Sequence, residues 1–309
     1  MEIHKTTVAP GERTMIRIPV GRIPSGGQVK MIARVFRSEA PGPTLLLLAG
    51  LHGDEVNGVE ILRQALASGL FHQLRKGAVI VIPVANPYGF VHGIRGVPDG
   101  KDVNRSFPGN RGGSLAARTA KILSAKILPL MDFGIDFHTG GSQHYNYPQI
   151  RFTANDEEAH HLAMQFSAPF ALAKRAIASS LRKASGKLGK PLLVFEGGEN
   201  GRYDNLAIAQ GLAGIQRLLQ AQQMLQADTP QTGSVELFDS VWVRATRSGM
   251  FKWIKNAGQR VREGETLGTI NDPYGEESRP VIAPCPGFLL GHNNAAVVHQ
   301  GDALFHLGY

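Results

Sequence analysis

The segment from Thr44 to Gly198 alternates short, almost wholly apolar runs with longer amphipathic stretches, and this alternation limits the possible folds most strongly. The apolar runs are TLLLLAG, GAVIVIPVAN, FGIDFH and KPLLVFEGG. Between them lie segments such as GVEILRQALASGL, in which Val59, Leu62 and Leu66 recur at helical spacing. Strands that are apolar on both faces and separated by helices predict an α/β fold with a mixed, mostly parallel sheet covered by helices.

Further elements are predicted on either side of these runs. TMIRIPV and VKMIARVF alternate apolar and polar residues, which predicts antiparallel strands near the N-terminus. Additional helices are predicted over SLAARTAKILSAKILPLM, EEAHHLAMQFSAPFALA and LAIAQGLAGIQRLLQAQQMLQ. Together these elements predict one large domain over residues 1–230, with an N-terminal β extension over residues 1–42.

The sequence changes character after the linker-like stretch ADTPQTG, where short apolar runs with frequent glycine replace the helical pattern. Two related segments follow, SGMFKWIKNAGQRVREGETLGTI and CPGFLLGHNNAAVVHQGDALFHL, which align Gly249 with Gly287 and Gly264 with Gly301. This repeat predicts a small all-β sandwich or flattened barrel over residues 231–309. It resembles biotinyl/lipoyl carrier domains, but the connection NDPYGEESR lacks the lysine that carriers modify, so no carrier function is expected.

Composition limits the class of protein further. Hydrophobic residues make up 42% of the 309 residues and charged residues only 19%, as in a globular protein. No run of 18 or more apolar residues exists, which excludes a membrane span, and MEIHKTTVAPGERT lacks the apolar core of a signal peptide. The single cysteine, Cys285, can form neither an internal disulfide nor a cysteine-based zinc site. We therefore expect a soluble cytoplasmic protein.

A net charge of +8 raises the question of a nucleic-acid partner. Part of the excess is local, because no acidic residue occurs from Ala159 to Phe195. The segment that carries the basic residues between positions 174 and 190 has neither interleaved aromatic residues nor a nucleic-acid-binding motif. We therefore interpret it as a solvated helix face, or as a face that attracts anionic small molecules. The basic residues are Lys174, Arg175, Arg182, Lys183, Lys187 and Lys190.

The usual catalytic signatures G-x-S-x-G, Walker A, G-x-G-x-x-G and H-E-x-x-H are absent from the sequence. His52 and Glu55, however, follow the end of a buried strand, where open α/β sheets bind ligands. Their spacing alone is weak, since roughly one such pair is expected by chance in a chain of this composition. GIDFHTGG brings Asp136 and His138 to the end of another strand.

Two histidines and a carboxylate would leave one position of a catalytic zinc ion open for water. Asp136 is suited to hold a ligand imidazole as a hydrogen-bond acceptor. Ordinary hydrogen-bonded loop residues are the alternative interpretation of these positions.

A fourth strand end, LLVFEGGEN, supplies a further acid. Glu196 follows the apolar run directly, where partial desolvation favours general-base chemistry. A helix-capping or salt-bridging acid is the alternative interpretation, and Glu199 competes for the catalytic role.

The segment from Ala85 to Asn110 is rich in glycine and proline, too polar for a core and too long for an idle connector. It carries Arg95, Asn104 and Arg105. Guanidinium groups bind carboxylates through two hydrogen bonds and stabilise oxyanions, although surface arginines commonly do neither.

Five motifs in this order, GLHGDEVNG, ANPYGF, RGVPDGKDVNRSFPG, IDFHTGG and VFEGG, resemble the succinylglutamate desuccinylase/aspartoacylase family of the zinc carboxypeptidase superfamily. The resemblance implies a zinc-carboxypeptidase-like α/β fold, with one Zn²⁺ ion in a catalytic domain over residues 1–230. This sequence departs from the family pattern in its N-terminal strands before Pro41, which are longer than in the best-known members. The implied residues are the zinc ligands His52, Glu55 and His138, the general base Glu196, the oxyanion-stabilising Arg95, and the substrate-carboxylate contacts Asn104 and Arg105.

The resemblance further implies a zinc-dependent hydrolase, a deacylase, that uses activated water to cleave the amide of a small N-acylated amino acid or amine. The expected partner is a small N-acyl substrate that carries a carboxylate. Neither nucleic acid nor a membrane is expected as a partner, and a homo-oligomer is left open. A metallocarboxypeptidase acting on peptides and a non-catalytic binding module that keeps the fold are the alternatives. Acetylated diamino acids, acetyl-aspartate and succinyl-glutamate all fit the motifs.

Overall fold

The alternation of apolar and amphipathic segments folds into the predicted α/β structure. The computed structural model of the protein describes residues 1–226 and 228–309. Its helices are α1 (Val56–Ala67), α2 (Pro87–His92), α3 (Leu115–Ile122), α4 (Glu157–Phe166), α5 (Leu181–Gly186) and α6 (Asn205–Ala221). Its strands are β1 (Glu2–Ile3), β2 (Thr6–Thr7), β3 (Arg13–Arg22), β4 (Gln28–Arg37), β5 (Thr44–Ala49), β6 (Ala78–Ile82), β7 (Phe133–Gly140), β8 (His144–Phe152), β9 (Phe170–Ala173), β10 (Leu192–Glu199), β11 (Val235–Leu237), β12 (Ser240–Arg244), β13 (Gly249–Trp253), β14 (Arg260–Val261), β15 (Thr266–Asn271), β16 (Ser278–Ile282), β17 (Gly287–Asn293), β18 (Val297–Val298) and β19 (Ala303–Gly308). Among the described residues, no helix has both the length and the apolar composition that a membrane crossing requires.

Most strands belong to one large mixed sheet, which holds 13 strands within the described residues. Its centre is parallel, in the order β10-β7-β5-β6, and β8 and β4 flank this centre in antiparallel pairing. Helices α1, α4 and α6 contribute to the core on one face, and α3 and α5 to the core on the other. The predicted mixed sheet covered by helices is therefore confirmed.

Strand β5 shows why the central runs are apolar throughout. Every residue of TLLLLA is buried. Leu45 and Leu47 pack into the core beside α1, whereas Leu46 and Leu48 pack into the core beside α3. Because successive side chains point to opposite faces, a strand covered on both faces is apolar at most positions. Polar side chains are consequently concentrated toward the carboxyl ends of the strands, at the edge of the sheet.

Three local predictions differ from the structure. The helix predicted over EEAHHLAMQFSAPFALA ends at Phe166, because Pro169 cannot continue an α-helix, and Phe170–Ala173 form β9 instead. The helix predicted up to Met131 is α-helical only to Ile122 and then continues as a π turn and a 3-10 turn. Strand β8 was not predicted, because its residues do not alternate regularly between buried and exposed positions. Its pairing with β10 and β17, which local sequence does not show, stabilises the strand instead.

The predicted all-β C-terminal region is present and is joined to the large sheet. Strand β17 pairs with β8, and β19 and β12 continue the sheet beyond β17. A second sheet, in the order β16-β15-β13-β18, shares with these strands a buried core that includes Phe251, Leu289 and Phe305. The division into domains at residue 230 and the resemblance to carrier domains stay predictions.

His292 lies at the junction between the C-terminal strands and β8. Its ring is stacked between Tyr145, at a centroid distance of 5.3 Å, and Trp253, at 4.4 Å. Burial lowers the pKa of His292 to about 4. In the unfolded chain, the imidazole of His292 would bind a proton with a pKa near 6.5. The stability that the neutral ring provides to the folded state is therefore complete above pH 6.5 and is lost as the pH falls toward 4.

We expect the free energy of unfolding to fall by roughly 2–3 kcal/mol between pH 7 and pH 4 because of His292. Urea unfolding of the wild type and of His292→Phe at several pH values measures this contribution, which the variant should lack. His299→Phe, which changes an exposed histidine of the same region, should keep the wild-type pH dependence. The same pH dependence in the wild type and His292→Phe would show that protonation of His292 is not coupled to folding.

Candidate active site

Three buried side chains from neighbouring parts of the sheet meet at its carboxyl edge. Strand β5 ends at Ala49, and the following loop carries His52 and Glu55, with Glu55 immediately before α1. His138 stands on β7, which pairs with β5 in parallel. One ligand atom from each of the three side chains lies within 4.8 Å of the others. The structure therefore brings together the three residues that were predicted as metal ligands.

The distances between these side chains define a small space for a cation. Nδ1 of His52 lies 2.7 Å from Oε1 of Glu55 and 3.1 Å from Nδ1 of His138, and the latter atom lies 2.8 Å from Oε2 of Glu55. On the far side of the rings, Nε2 of His52 lies 3.2 Å from Asp102, and Nε2 of His138 lies 2.8 Å from Asp136. When both Nε2–H groups donate to these carboxylates, both Nδ1 lone pairs face the same space. Lone pairs this close repel each other unless a cation lies between them.

This donor set fits Zn²⁺. The two Nδ1 atoms lie 3.1 Å apart, close to the separation of roughly 3.3 Å between ligand atoms of tetrahedral zinc with bonds of about 2.0–2.1 Å. Each imidazole faces a different oxygen of Glu55, at 2.7 and 2.8 Å, so the carboxylate can present an oxygen to the same cation. Two imidazoles and one carboxylate are also a ligand set of catalytic zinc sites, in which a further position stays open.

The same contacts control ionisation in the site. Burial raises the pKa of Glu55, but the imidazoles of His52 and His138 outweigh burial and hold this pKa well below its ordinary value. Burial lowers the pKa of His138, but the carboxylates of Asp136 and Glu55 outweigh burial and raise it well above its ordinary value. The carboxylates thus surround the imidazoles with negative charge, which favours a divalent cation at this position.

Gly53 lets the loop with the candidate ligands lie close to its neighbour. A Cβ atom at this position would lie 1.9 Å from the carbonyl carbon of Gly89. The backbone N–H of Gly53 donates to the carbonyl oxygen of Arg95 at 3.3 Å. On the other side, the backbone N–H of Thr139 donates to Oε2 of Glu55 at 3.1 Å. Close backbone packing explains why glycine follows the histidine in HGDE.

Asp102 joins the site although the sequence analysis missed it. Besides its contact with His52, its Oδ2 atom accepts two hydrogen bonds from Arg95, one from Nε at 3.2 Å and one from Nη2 at 3.1 Å. Arg95 also donates from Nη1 to Oε1 of Glu55 at 3.0 Å. Asp102 thus positions a candidate ligand and the predicted oxyanion arginine together. The motif KDVNR contains this aspartate, but nothing in the sequence connects it with a histidine 50 residues away.

Glu196 stands beside His138 because β10 pairs with β7 in a register that places these two residues opposite each other. Nη1 of Arg151 donates to Oε1 of Glu196, and Nδ2 of Asn146 donates to Oε2, each at 2.9 Å. Both donors belong to β8, so the sequence analysis missed them together with their strand. They hold the carboxylate of Glu196 at a defined position.

The three candidate ligands and Glu196 line one cavity of about 480 Å³. Glu199, the competing acid, instead accepts a hydrogen bond at Oε2 from Nδ2 of Asn294 in the C-terminal region, at 2.8 Å. Of the two acids, the structure thus places Glu196 at the cavity. The other predicted site residues on the cavity wall are Arg95, Asn104, Arg105 and Asp136.

Arginines contribute much of the remaining wall. Arg105 is exposed, and its Nη1 donates to the carbonyl oxygen of Asn104 at 2.8 Å. Oδ1 of Asn104 accepts from the backbone N–H of Leu181 at 2.9 Å, which ties the start of α5 to the cavity. The next residue, Arg182, is buried, and within the described residues its Nη1 has no hydrogen-bond partner. Burial, together with the nearby Arg151, lowers the pKa of Arg182 to about 10, and such a guanidinium is suited to bind an anionic group.

The basic segment over residues 174–190 is therefore only partly the solvated face that its composition indicated. Lys183 and Lys187 are exposed, whereas Arg182 is buried at the cavity. Composition alone cannot separate these residues, because their burial depends on how the short helix α5 packs against the sheet.

The C-terminal region also contributes to the cavity. Trp242 on β12 and Ala303 on β19 line the wall together with His144 at the start of β8. No sequence signal connects Trp242 with the candidate ligands. Its place depends on β17, which pairs with β8 and carries β19 and β12 beside the central sheet.

Comparisons with known proteins point to one family. The family model described as "Succinylglutamate desuccinylase/Aspartoacylase catalytic domain" matches residues 41–222. The chain is 27% identical to the N-alpha-acetyl-L-2,4-diaminobutyric acid deacetylase of Halomonas elongata, in an alignment that covers 94% of this chain and 89% of that protein. It is 29% identical to the succinylglutamate desuccinylase of Pseudomonas putida over 109 residues, which cover 35% of this chain and 32% of that protein.

Solved structures show the same architecture. A succinylglutamate desuccinylase/aspartoacylase from Rhodobacter sphaeroides matches with a TM-score of 0.85 at 26% identity, covering 96% of this chain and 95% of that chain. The product-bound ectoine utilization protein EutE (DoeB) from Ruegeria pomeroyi shares the fold, with a TM-score of 0.84, 23% identity, and coverage of 98% and 99%. Because the family model spans more than half of the sequence, the chain belongs to the succinylglutamate desuccinylase/aspartoacylase family.

Proposed function

We propose that this protein is a zinc-dependent hydrolase that cleaves the amide bond of a small N-acylated amino acid. The observation that carries the proposal is the meeting of His52, Glu55 and His138 in one cavity with Glu196. A metal-ligand set beside a carboxylate that can accept a proton is what metal-assisted amide hydrolysis requires. The family supports the same class of reaction, since two relatives are named as a deacetylase and a desuccinylase.

One Zn²⁺ ion held by His52, Glu55 and His138 would supply Lewis acidity, which polarises a carbonyl group and makes a water molecule reactive near neutral pH. Asp102 and Asp136 support this site from outside. Each contacts Nε2 of one imidazole, which leaves Nδ1 free to bind and fixes the orientation of the ring.

Glu196 is the proposed proton carrier. One of its oxygens accepts the proton of the attacking water and then delivers that proton to the nitrogen of the leaving amine. Arg151 and Asn146 support this role, because their hydrogen bonds at 2.9 Å hold both carboxylate oxygens in place between the two steps.

Arg95 is proposed to stabilise the negative charge that develops on the carbonyl oxygen during attack. Its guanidinium group already lies at the cavity, held by Asp102 through two N–H groups. The Nη1 group of Arg95, which donates to Glu55 in the structure, is the group that would turn toward the carbonyl oxygen of the substrate.

Asn104 and Arg105 are proposed to bind a carboxylate of the substrate, and we propose Arg182 as a third member of this set because its unpartnered guanidinium nitrogen belongs to the same cavity wall within the described residues. Oδ1 of Asn104 is occupied by the backbone of Leu181, so its contribution to binding would come from its Nδ2 group. Arg105 and Arg182 supply the positive charge, one from an exposed and one from a buried position on the cavity wall. Holding the carboxylate determines which amide faces the reacting groups.

The size of the cavity favours a small substrate over a peptide. Its volume of about 480 Å³ lies in the lower part of the usual range for small-molecule sites. An assay of the zinc-loaded protein against N-acetyl and N-succinyl amino acids, alongside short peptides, tests the proposal directly. Release of free amino acids from the N-acyl substrates supports it. Cleavage of peptides alone would indicate a carboxypeptidase, and no amide hydrolysis at all would contradict the proposal.

We expect Arg105→Ala to raise KM for a carboxylate-bearing substrate by about 10–100-fold, with a smaller effect on kcat, because the guanidinium binds the ground state and the transition state alike. Steady-state kinetics on a substrate and its carboxamide analogue measure this, and the analogue should be insensitive to the substitution. Arg111→Ala, which changes another exposed arginine of the same loop, is the matched control. Unchanged KM in Arg105→Ala would remove this residue from the binding of the carboxylate.

A further inference from the structure

The indole of Trp242 is a preformed part of the cavity wall. The residue is 41% exposed and lines the same cavity as the candidate metal ligands. Strand β12 pairs with β19 in a register that places Trp242 opposite His306. The two rings stack with their centroids 4.4 Å apart and with an angle of 13° between their planes. The ring of His144 meets the indole edge-on, at a centroid distance of 6.0 Å. These neighbours hold the indole in one orientation before any substrate binds, which reduces the entropic cost of binding.

His306, on which the indole stacks, is itself held in place and uncharged. It is 3% exposed, and its Nε2 lies 2.7 Å from Oγ of Ser240. Burial, together with the charges of Arg151 and Lys174, holds the pKa of His306 well below its ordinary value. One face of Trp242 is therefore covered by a neutral ring, and the exposed part of the indole remains accessible from the cavity.

The charges on the cavity wall favour an anionic or uncharged substrate over a cationic one. Of the arginines on the wall, Arg95 and Arg151 are paired with carboxylates, whereas Arg105 and Arg182 have no carboxylate partner among the described residues. The carboxylates on the wall are Glu55, Asp136 and Glu196, and each contacts an imidazole or a guanidinium group; Oδ1 of Asp136 has no partner within the described residues but is buried. A substrate ammonium group at the cavity would therefore lose hydration beside two unpaired guanidinium groups.

We infer that Trp242 is a specificity-determining residue, and that the part of the substrate in contact with it is uncharged and apolar. This inference rests on the proposed function, because it names a substrate class for the same cavity. The substrate class is N-acylated amino acids that carry an apolar or aromatic group, either on the amino acid or on the acyl part. An indole provides a large apolar contact area for such a group, and the unpaired guanidinium groups of Arg105 and Arg182 on the same wall oppose the cation–π attraction that an indole face would otherwise offer an ammonium.

Kinetics of the zinc-loaded protein test the inference. The substrates are N-acetyl-phenylalanine, N-benzoyl-glycine, N-acetyl-lysine and N-acetyl-glycine. In the wild type, kcat/KM for at least one of the two aromatic substrates should exceed that for N-acetyl-lysine by about tenfold or more. Trp242→Ala should lower kcat/KM for that aromatic substrate by about tenfold, chiefly through KM, and should change N-acetyl-glycine by less than about twofold. Trp242→Phe should retain most of the preference.

The two aromatic substrates distinguish the two positions of the apolar group. A loss confined to N-acetyl-phenylalanine assigns the contact to the side chain of the amino acid, and a loss confined to N-benzoyl-glycine assigns it to the acyl group. Trp253 provides the matched control, because it stacks on His292 with centroids 4.4 Å apart and does not belong to the residues that line the cavity in the described parts of the chain. Trp253→Ala should leave the ratio between aromatic and cationic substrates unchanged.

A binding measurement provides a readout that does not depend on turnover. The chain contains two tryptophans, so Trp253→Phe leaves Trp242 as the sole indole fluorophore. Adding N-acetyl-phenylalanine or N-benzoyl-glycine to this metal-free variant should change its fluorescence saturably, whereas N-acetyl-lysine should not.

If the protein hydrolyses N-acyl amino acids and Trp242→Ala keeps the wild-type ratio of kcat/KM between aromatic and cationic substrates, the inference is wrong and the proposed function stands. A preference for N-acetyl-lysine would likewise overturn the inference. If no substrate is hydrolysed, the proposed function fails, and an unchanged fluorescence would then overturn the inference as well.

Discussion

Glu196→Gln should lower kcat by about 10²–10⁴-fold while the protein still binds one zinc ion. The amide has nearly the same size as the carboxylate, but it cannot accept the proton of the attacking water or deliver a proton to the leaving amine. Asn146 and Arg151 contact the side chain at 2.9 Å from one strand, so the glutamine should remain at the cavity wall. Steady-state kinetics and metal analysis of the same preparation separate loss of chemistry from loss of metal.

Glu199→Gln is the matched control, because Glu199 lies on the same strand and contacts Asn294 in the C-terminal region. This variant should keep kcat within a few-fold of the wild type. Full activity in Glu196→Gln would exclude Glu196 as the proton carrier. A large loss in Glu199→Gln with little loss in Glu196→Gln would assign the role to Glu199.

We expect the wild type to bind one zinc ion per chain, and His138→Ala should bind almost none and should lose hydrolysis. One of three protein ligands is lost, and the substitution also leaves the buried carboxylate of Asp136 without its contact to Nε2 at 2.8 Å. Zinc should raise the Tm of the wild type, because a ligand that binds only the folded state stabilises it, but should not raise the Tm of the variant. Metal analysis after dialysis and thermal unfolding with and without zinc measure both effects.

His144→Ala provides the control for this experiment. His144 lines the same cavity, but its ring nitrogens lie 3.0–3.1 Å from backbone carbonyl oxygens of Gly141, Ser142 and Ala303 instead of facing the candidate ligands. Its variant should keep zinc content and the zinc-dependent rise in Tm. A His138→Ala protein that binds zinc as the wild type does would show that His138 is not a ligand.

The sequence alone was sufficient to predict the central sheet and the residues at its carboxyl edge. Strand β5 is apolar from Leu45 to Ala49 because both of its faces are covered, so the polar side chains that follow it, His52, Asp54 and Glu55, stand out as candidates for binding a metal. The same reasoning applies to His138 and Glu196, which lie inside β7 and β10 toward the carboxyl ends of these neighbouring strands. Strand topology therefore indicated the edge at which the side chains would meet, and the family resemblance selected Glu196 over Glu199.

Residues outside these strand ends were not predictable in this way. Strand β8 has a mixed sequence whose pairing partners stabilise it, so Asn146 and Arg151 could not be connected with Glu196. Asp102 follows no strand, and its contact with His52 depends on the course of a long loop. Arg182 was grouped by composition with surface lysines, although packing buries its side chain.

From its sequence, this protein could be recognised as an α/β protein with polar side chains gathered at one sheet edge, because the burial of a strand on both faces dictates its residue types locally. Only the tertiary structure decided which partners orient those side chains and which residues line the cavity. Trp242 comes from a different part of the chain than His52, and the pairing of β17 with β8 determines its place at the cavity. Contacts between distant segments depend on the packing of the whole sheet, and packing leaves no periodic signal in either segment alone.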